Sequence, residues 1–147
     1  MFALKSVNNT FSKNQLFIIV ILQKVIFMSK HTLVIGASEN PERYSNIAIK
    51  RLKKYGHTVE AIGNKEGEVE GVAFSKSRNN FEGIDTVTMY IGERHQADYY
   101  NYILSLKPKR IIFNPGTEND TFEKMAKDKG IQVMEACTLV LLGTGQY

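Results

Sequence analysis

Leu33-Val34-Ile35-Gly36-Ala37-Ser38-Glu39-Asn40-Pro41-Glu42-Arg43-Tyr44-Ser45-Asn46 joins an apolar strand, a small-residue turn, an arginine and a serine placed to open a helix. That order of parts builds a site for a phosphate-bearing ligand. A strand end sets the turn at the rim of a sheet, Gly36 lets backbone N–H groups approach closely, and the first turn of a helix offers donors with no partner inside the helix.

Working outward, apolar runs alternate with helical patterns from Met28 onward. Strands are predicted over His31–Ile35, Thr58–Ile62, Ile84–Ile91, Arg110–Phe113 and Ile131–Met134, the first with the continuous apolar end of a strand covered on both faces. Ile47, Ile49, Leu52 and Tyr55 recur at near-helical spacing before a stop at Gly56. A second helix is predicted over Glu93–Leu106, ended by Lys107-Pro108, with Ala97, Tyr100, Ile103 and Leu104 toward the core. A third, capped by Thr117 or Asn119, runs to Gly130. Residues 136–142 read as a short apolar helix or turn, and 63–83 as irregular and polar.

Strand–helix alternation predicts an α/β single domain: a doubly wound, Rossmann-like, five-stranded parallel sheet with right-handed crossovers. Ligands of such sheets bind beyond the carboxyl ends of the strands, where strand order reverses. That geometry is expected to gather loops 36–46, 63–65 and 114–118 on one rim.

A chain of 147 residues, 43% hydrophobic and 23% charged, fits one globular domain. The net charge of +4 is unevenly spread. Residues 1–27 hold Lys5, Lys13 and Lys24 and no acid, so the body from Met28 is nearly neutral and lacks the broad basic footprint of a nucleic-acid binder. Lys50, Arg51, Lys53 and Lys54 read as a solvated helix face. The apolar run Leu16–Phe27, interrupted by Gln23-Lys24, is shorter than the roughly 20 residues of a bilayer span, and no small-residue cleavage site follows it. Residues 1–27 are therefore expected to be an N-terminal extension outside the fold, with Met28 as the natural start and 28–147 as the domain; the other readings are a helix for a membrane surface or a partner, and a signal sequence. The expected location is cytoplasmic, and the Asn-x-Thr matches at Asn8 and Asn119 read as chance.

An NAD fingerprint is absent. Gly36-Ala37-Ser38 has no second or third glycine before Asn46, and Glu60 lies in mid-strand, poorly placed to hold a ribose. No P-loop sequence occurs. Over residues 31–147 the chain instead resembles the small stand-alone CoA-binding proteins related to the CoA-binding domain of the succinyl-CoA synthetase alpha subunit. The resemblance rests on Gly36-Ala37-Ser38 with Asn40-Pro41 and Arg43, on Tyr55-Gly56-His57-Thr58-Val59 leading to Asn64, on Asn114-Pro115-Gly116 with Glu118, and on Cys137. The chain departs from it at Asn64-Lys65, where many members carry Asn-Pro, and at Phe113-Asn114, where tryptophan and glutamine are frequent.

The resemblance implies a coenzyme A or acyl-CoA ligand. Gly36, Ala37 and the Ser38 backbone and hydroxyl would then serve as donors. Arg43 would form charge-assisted phosphate bonds, and Ser45 and Asn46 would sit at the helix opening. Asn64 and Lys65 would meet the adenosine end, and Asn114, Pro115, Gly116 and Glu118 would close the far side. Several of these have plainer readings: Ser45 as a helix cap, Asn64, Asn114 and Gly116 as turn formers, Lys65 as a solvated charge. Cys137 reads as a buried structural thiol. His31, His57 and His95 show no metal spacing, and Tyr99, Tyr100 and Tyr102 read as packing residues. No catalytic constellation and no metal site stand out. The expected function is CoA binding without independent catalysis, with room for a protein partner or a homodimer. The alternatives are a CoA-transfer or ligase component acting with a second chain, and a redox module binding NAD(P) or an adenine nucleotide.

Overall fold

The computed structural model describes residues 10–147. The elements run α1 (Lys13–Met28), β1 (His31–Ala37), α2 (Tyr44–Lys54), β2 (Thr58–Gly63), β3 (Gly67–Val69), β4 (Val72–Ser75) and β5 (Thr86–Met89). Two 3-10 turns (Glu93–His95, Ala97–Tyr99), α3 (Tyr100–Ser105), β6 (Arg110–Phe113), α4 (Asp120–Asp128), β7 (Gln132–Glu135) and α5 (Thr138–Gly143) complete the chain.

The strands form one sheet in the order β3-β4-β2-β1-β5-β6-β7. Every neighbouring pair is parallel except β3 with β4. The architecture is α/β and Rossmann-like, but with seven strands rather than the five expected. The additional pair comes from a segment whose glycines and charges hide its pairing. Glu70 (φ 50°) and Gly71 (φ 76°) both occupy the left-handed region, as a two-residue turn of a twisted hairpin requires, and they join β3 directly to β4.

Alternate residues of the sheet feed two cores. Leu33, Ile35, Val87, Met89, Ile111 and Phe113 pack on one face with Ile103 and Leu104 of α3 and Phe122 and Ala126 of α4. Val34, Val59 and Ala61 pack on the other with Ile49 and Leu52 of α2 and Leu142 of α5. Ala37 joins this second cluster although Ile35 belongs to the first, because the β1–β2 register shifts at Gly36. The strand therefore breaks its alternation at the residue where the Gly36-Ala37-Ser38 turn begins.

Local signals set most of the ends. Gly56 (φ 81°) closes α2, with its N–H on the Lys53 carbonyl at 3.0 Å and the His57 N–H on the Leu52 carbonyl at 3.0 Å, so both orphan carbonyls find donors. Asn119, one of the two expected caps, opens α4 by accepting the Phe122 N–H at 3.0 Å. The long helix expected over 93–106 is instead two 3-10 turns and the short α3. Gln96 sits fully buried at the break, donating to the carbonyls of Ile91 (3.0 Å) and Thr117 (2.6 Å) and accepting from Asn119 Nδ2 at 3.0 Å. Tethering one side chain to two other segments tightens the backbone locally.

The expected extension over 1–27 is described only from residue 10. Helix α1 leaves Leu16, Phe17, Ile18, Val20, Ile21 and Leu22 exposed. Among the described residues no helix is long and apolar enough to cross a membrane.

At the strand-start edge, His57 Nδ1 accepts the Lys30 N–H at 3.0 Å, and its ring lies 4.8 Å from that of Tyr147. Burial, then the charges of Lys30 and Arg110, lower its pKa from 6.5 against a smaller opposite pull from Asp85. An unfolded chain thus takes up this proton more readily than the folded one. The stability contribution is complete above pH 6.5 and is lost as pH falls through the lower folded value. Urea midpoints measured between about pH 5 and 8 should fall on the acid side, and His57→Gln should flatten that part of the profile.

Candidate functional site

A crevice of about 950 Å³ opens beyond the carboxyl ends of β1, β2, β5 and β6. It straddles the point where strand order reverses: the chain lays β2, β4 and β3 on one side of β1 and then crosses from β4 to place β5 on the other. Gly36 forms its floor. The residue has φ +100°, and a Cβ there would lie 2.8 Å from Ile91 Cγ2 and 3.0 Å from the Tyr90 carbonyl carbon and oxygen. Glycine is required twice, by conformation and by contact.

The following loop is braced from within. Asn40 N–H donates to Ser38 Oγ at 3.2 Å, Glu42 N–H to Asn40 Oδ1 at 3.0 Å, and Arg43 N–H to the Asn40 carbonyl at 3.1 Å. Asn46 Nδ2 donates to the carbonyls of Ser38 (2.9 Å) and Glu39 (3.1 Å). Holding those carbonyls inward fixes the loop's shape. Arg43 is the residue before the first turn of α2 and makes no side-chain cap. Ser45 therefore lies inside the first turn rather than capping it, is buried, and lines the crevice. The α2 first turn carries no acid, while Arg51, Lys53 and Lys54 occupy the last, so the helix end facing the crevice keeps its positive field.

The sheet brings the three expected loops together. Gly36, Ala37, Ser38, Arg43, Ser45, Asn64, Lys65, Pro115 and Gly116 all line the crevice. Asn46, Asn114 and Glu118 are not among the lining residues. Asn114 is buried, donates to Thr88 Oγ1 (2.7 Å) and the Met89 carbonyl (2.8 Å), and accepts the Thr138 N–H at 2.8 Å. Glu118 accepts the Gly116 N–H at 2.8 Å. These residues hold the loops in place from behind.

A fourth wall is not legible in the sequence. Tyr90, Ile91, Gly92, Arg94, His95, Asp98 and Tyr99 follow β5 into the crevice, and Arg78 enters from the connection between β4 and β5. Arg94 Nε donates to His95 Nε2 at 3.1 Å. The Arg78 guanidinium lies 4.6 Å from the centre of the Tyr99 ring. The lining thus carries Arg43, Lys65, Arg78 and Arg94 against Glu39, Glu66 and Asp98. One of these acids is engaged elsewhere: Glu39 Oε1 accepts the Glu68 N–H at 3.0 Å. Burial raises the Tyr90 pKa above 10.0, so its hydroxyl stays protonated at neutral pH.

Glu60, the acid nearest the usual ribose-binding position, faces His31 at 3.4 Å and does not line the crevice. Cys137, expected to be buried, is half-buried just before α5 and is also absent from the lining. Among the described residues no cluster of His, Cys, Asp and Glu is placed to hold a metal ion.

Comparison with known proteins agrees with this fold. A family model described as a CoA binding domain matches residues 30–143. A crystal structure of an uncharacterized protein is 48% identical, superposes with a TM-score of 0.79, and is matched over 81% of this chain and 98% of its own. A protein from Thermus thermophilus (22% identity, TM-score 0.73, 87% of this chain and 98% of that one) shares the fold. So does a hypothetical protein from Pyrococcus horikoshii OT3 (21% identity, TM-score 0.71, 95% of each chain). Among curated proteins none matches.

Proposed function

This chain belongs to the CoA binding domain family, and from that premise we propose that the crevice holds coenzyme A or an acyl-CoA by its phosphates, without chemistry of its own. The observation that carries the reading is the placement of Gly36 beneath the open end of α2, with Arg43 on the same rim. A pyrophosphate resting on that turn meets backbone donors, the Ser38 hydroxyl and a planar guanidinium together. Lys65 stands just past the end of the neighbouring strand β2, where the adenosine of such a ligand would lie.

Magnitudes support micromolar binding. A charge-assisted hydrogen bond contributes about 1.5–3 kcal/mol. A few such bonds with adenine burial supply the roughly 8 kcal/mol that a micromolar Kd requires. NAD is the weaker reading, because Glu60 is turned to His31 and lies away from the crevice.

Calorimetric titration of the full chain with CoA tests the proposal. Arg43 is exposed, so Arg43→Ala should leave folding intact and weaken CoA about 10- to 100-fold. Unchanged affinity removes Arg43 from the site. Native mass spectrometry that finds NAD(P) rather than CoA on the purified protein overturns the ligand assignment.

A further inference from the structure

We infer that Arg78, laid on Tyr99, is the subsite for the 3′-phosphate of the ligand and makes the crevice prefer CoA to ligands without that group; the inference rests on the CoA reading above.

The guanidinium of Arg78 lies over the Tyr99 ring at 4.6 Å. Stacking spends the flat face of a guanidinium and leaves its edge, where all five N–H donors lie, available to a partner. No carboxylate among the described residues forms an ion pair with Arg78. An exposed arginine loses side-chain entropy when it is held in one position, and here the Tyr99 ring and a backbone fastened on either side lower that cost. The Ser77 N–H donates to Ser75 Oγ at 3.1 Å on one side, and Tyr102 Oη donates to the Asn79 carbonyl at 2.7 Å on the other. A cation held against a ring, with no hydrogen bond or ion pair from its guanidinium to the described residues, and lining a crevice, fits an anionic ligand group.

Position selects which group. Arg78 follows β4, which lies beside β2 in the sheet, and its chain neighbours Ser77 and Asn79 share a hollow with Glu60 and Ala61 of β2 and with Glu66, so the segment that carries it runs along the β2 side. With the pyrophosphate on the Gly36 turn, this is the adenosine side. The only charge CoA carries there is the ribose 3′-phosphate, a dianion whose oxygens match a guanidinium edge in bidentate fashion.

The test is calorimetric titration of the full chain with CoA and with dephospho-CoA, which differ only in that phosphate. The wild type should bind CoA about 10-fold or more tightly than dephospho-CoA. Arg78→Met keeps a stem over Tyr99 but removes the charge. It should bring CoA down to the dephospho-CoA level while moving dephospho-CoA by less than about threefold. The inference is overturned if Arg78→Met retains the preference, if it weakens both ligands equally, or if Lys65→Ala alone abolishes the preference. A wild type that binds CoA without any preference overturns this inference and leaves the CoA reading standing. A wild type that binds neither ligand overturns both.

Discussion

Gly36→Val is expected to give a protein that unfolds at much lower urea concentration and no longer binds CoA. Two costs combine. The backbone at φ +100° is one that L side chains avoid, at about 1–2 kcal/mol. Ile91 Cγ2 at 2.8 Å and the Tyr90 carbonyl group at 3.0 Å leave no room for a Cβ, and overpacking of this kind adds about 1–3 kcal/mol. A total of roughly 2–5 kcal/mol is a large share of the roughly 5–15 kcal/mol that holds a domain together. Gly116→Ala separates the two causes. Gly116 has φ +88°, and nothing lies within 4 Å of the point a Cβ would occupy, so only the conformational cost of about 1 kcal/mol applies. Equal losses in the two variants would show that close approach at Gly36 contributes nothing.

The second large effect is expected at Asn114. One amide there ties three elements: it donates to β5 at Thr88 and Met89 and accepts from the start of α5 at Thr138. In Asn114→Ala the Thr138 N–H and the Met89 carbonyl lose their side-chain partner in a buried setting, at about 1–3 kcal/mol each. Thr88 is cushioned, because its hydroxyl also meets that of Thr138 at 2.8 Å. A loss of about 3 kcal/mol in urea unfolding is the expected result, with CoA affinity falling as the 114–118 loop loses its anchor. Asn114→Asp should be at least as damaging. It preserves the acceptor for Thr138 but buries a charge beside the Met89 carbonyl.

Asn114 also shows what the sequence conveys and what it leaves out. A polar residue at a strand end can face the ligand or hold the loop that does, and residue type alone does not say which. Asn46 is the same case, spent on the carbonyls of Ser38 and Glu39. Strands β1, β2, β5, β6 and β7 are legible because runs such as Leu33–Ile35 are apolar on both faces. The β3–β4 hairpin is not, since its turn is Glu70-Gly71 and its first strand is a glycine, an acid and a valine. The three expected loops reach the crevice because strand ends are predictable. The fourth wall depends on Gln96 breaking a helical pattern by reaching across to Thr117, a tertiary event with no local signature. Arg78 is hidden for a related reason: its place is fixed by Tyr102 and Tyr99, which come more than 20 residues later.

The connection from β4 to β5 carries Arg78 across the sheet without a helix of its own, secured by Phe81 against the core and by the Tyr102 hydroxyl. A covering helix would bind every residue to the packing beneath it. A bare strap does not, so substitutions and length changes between its fastenings alter one ligand wall while the sheet keeps its stability. Selectivity and foldability are thereby uncoupled in this stretch, and relatives that share the scaffold are free to diverge in what they recognise by editing it.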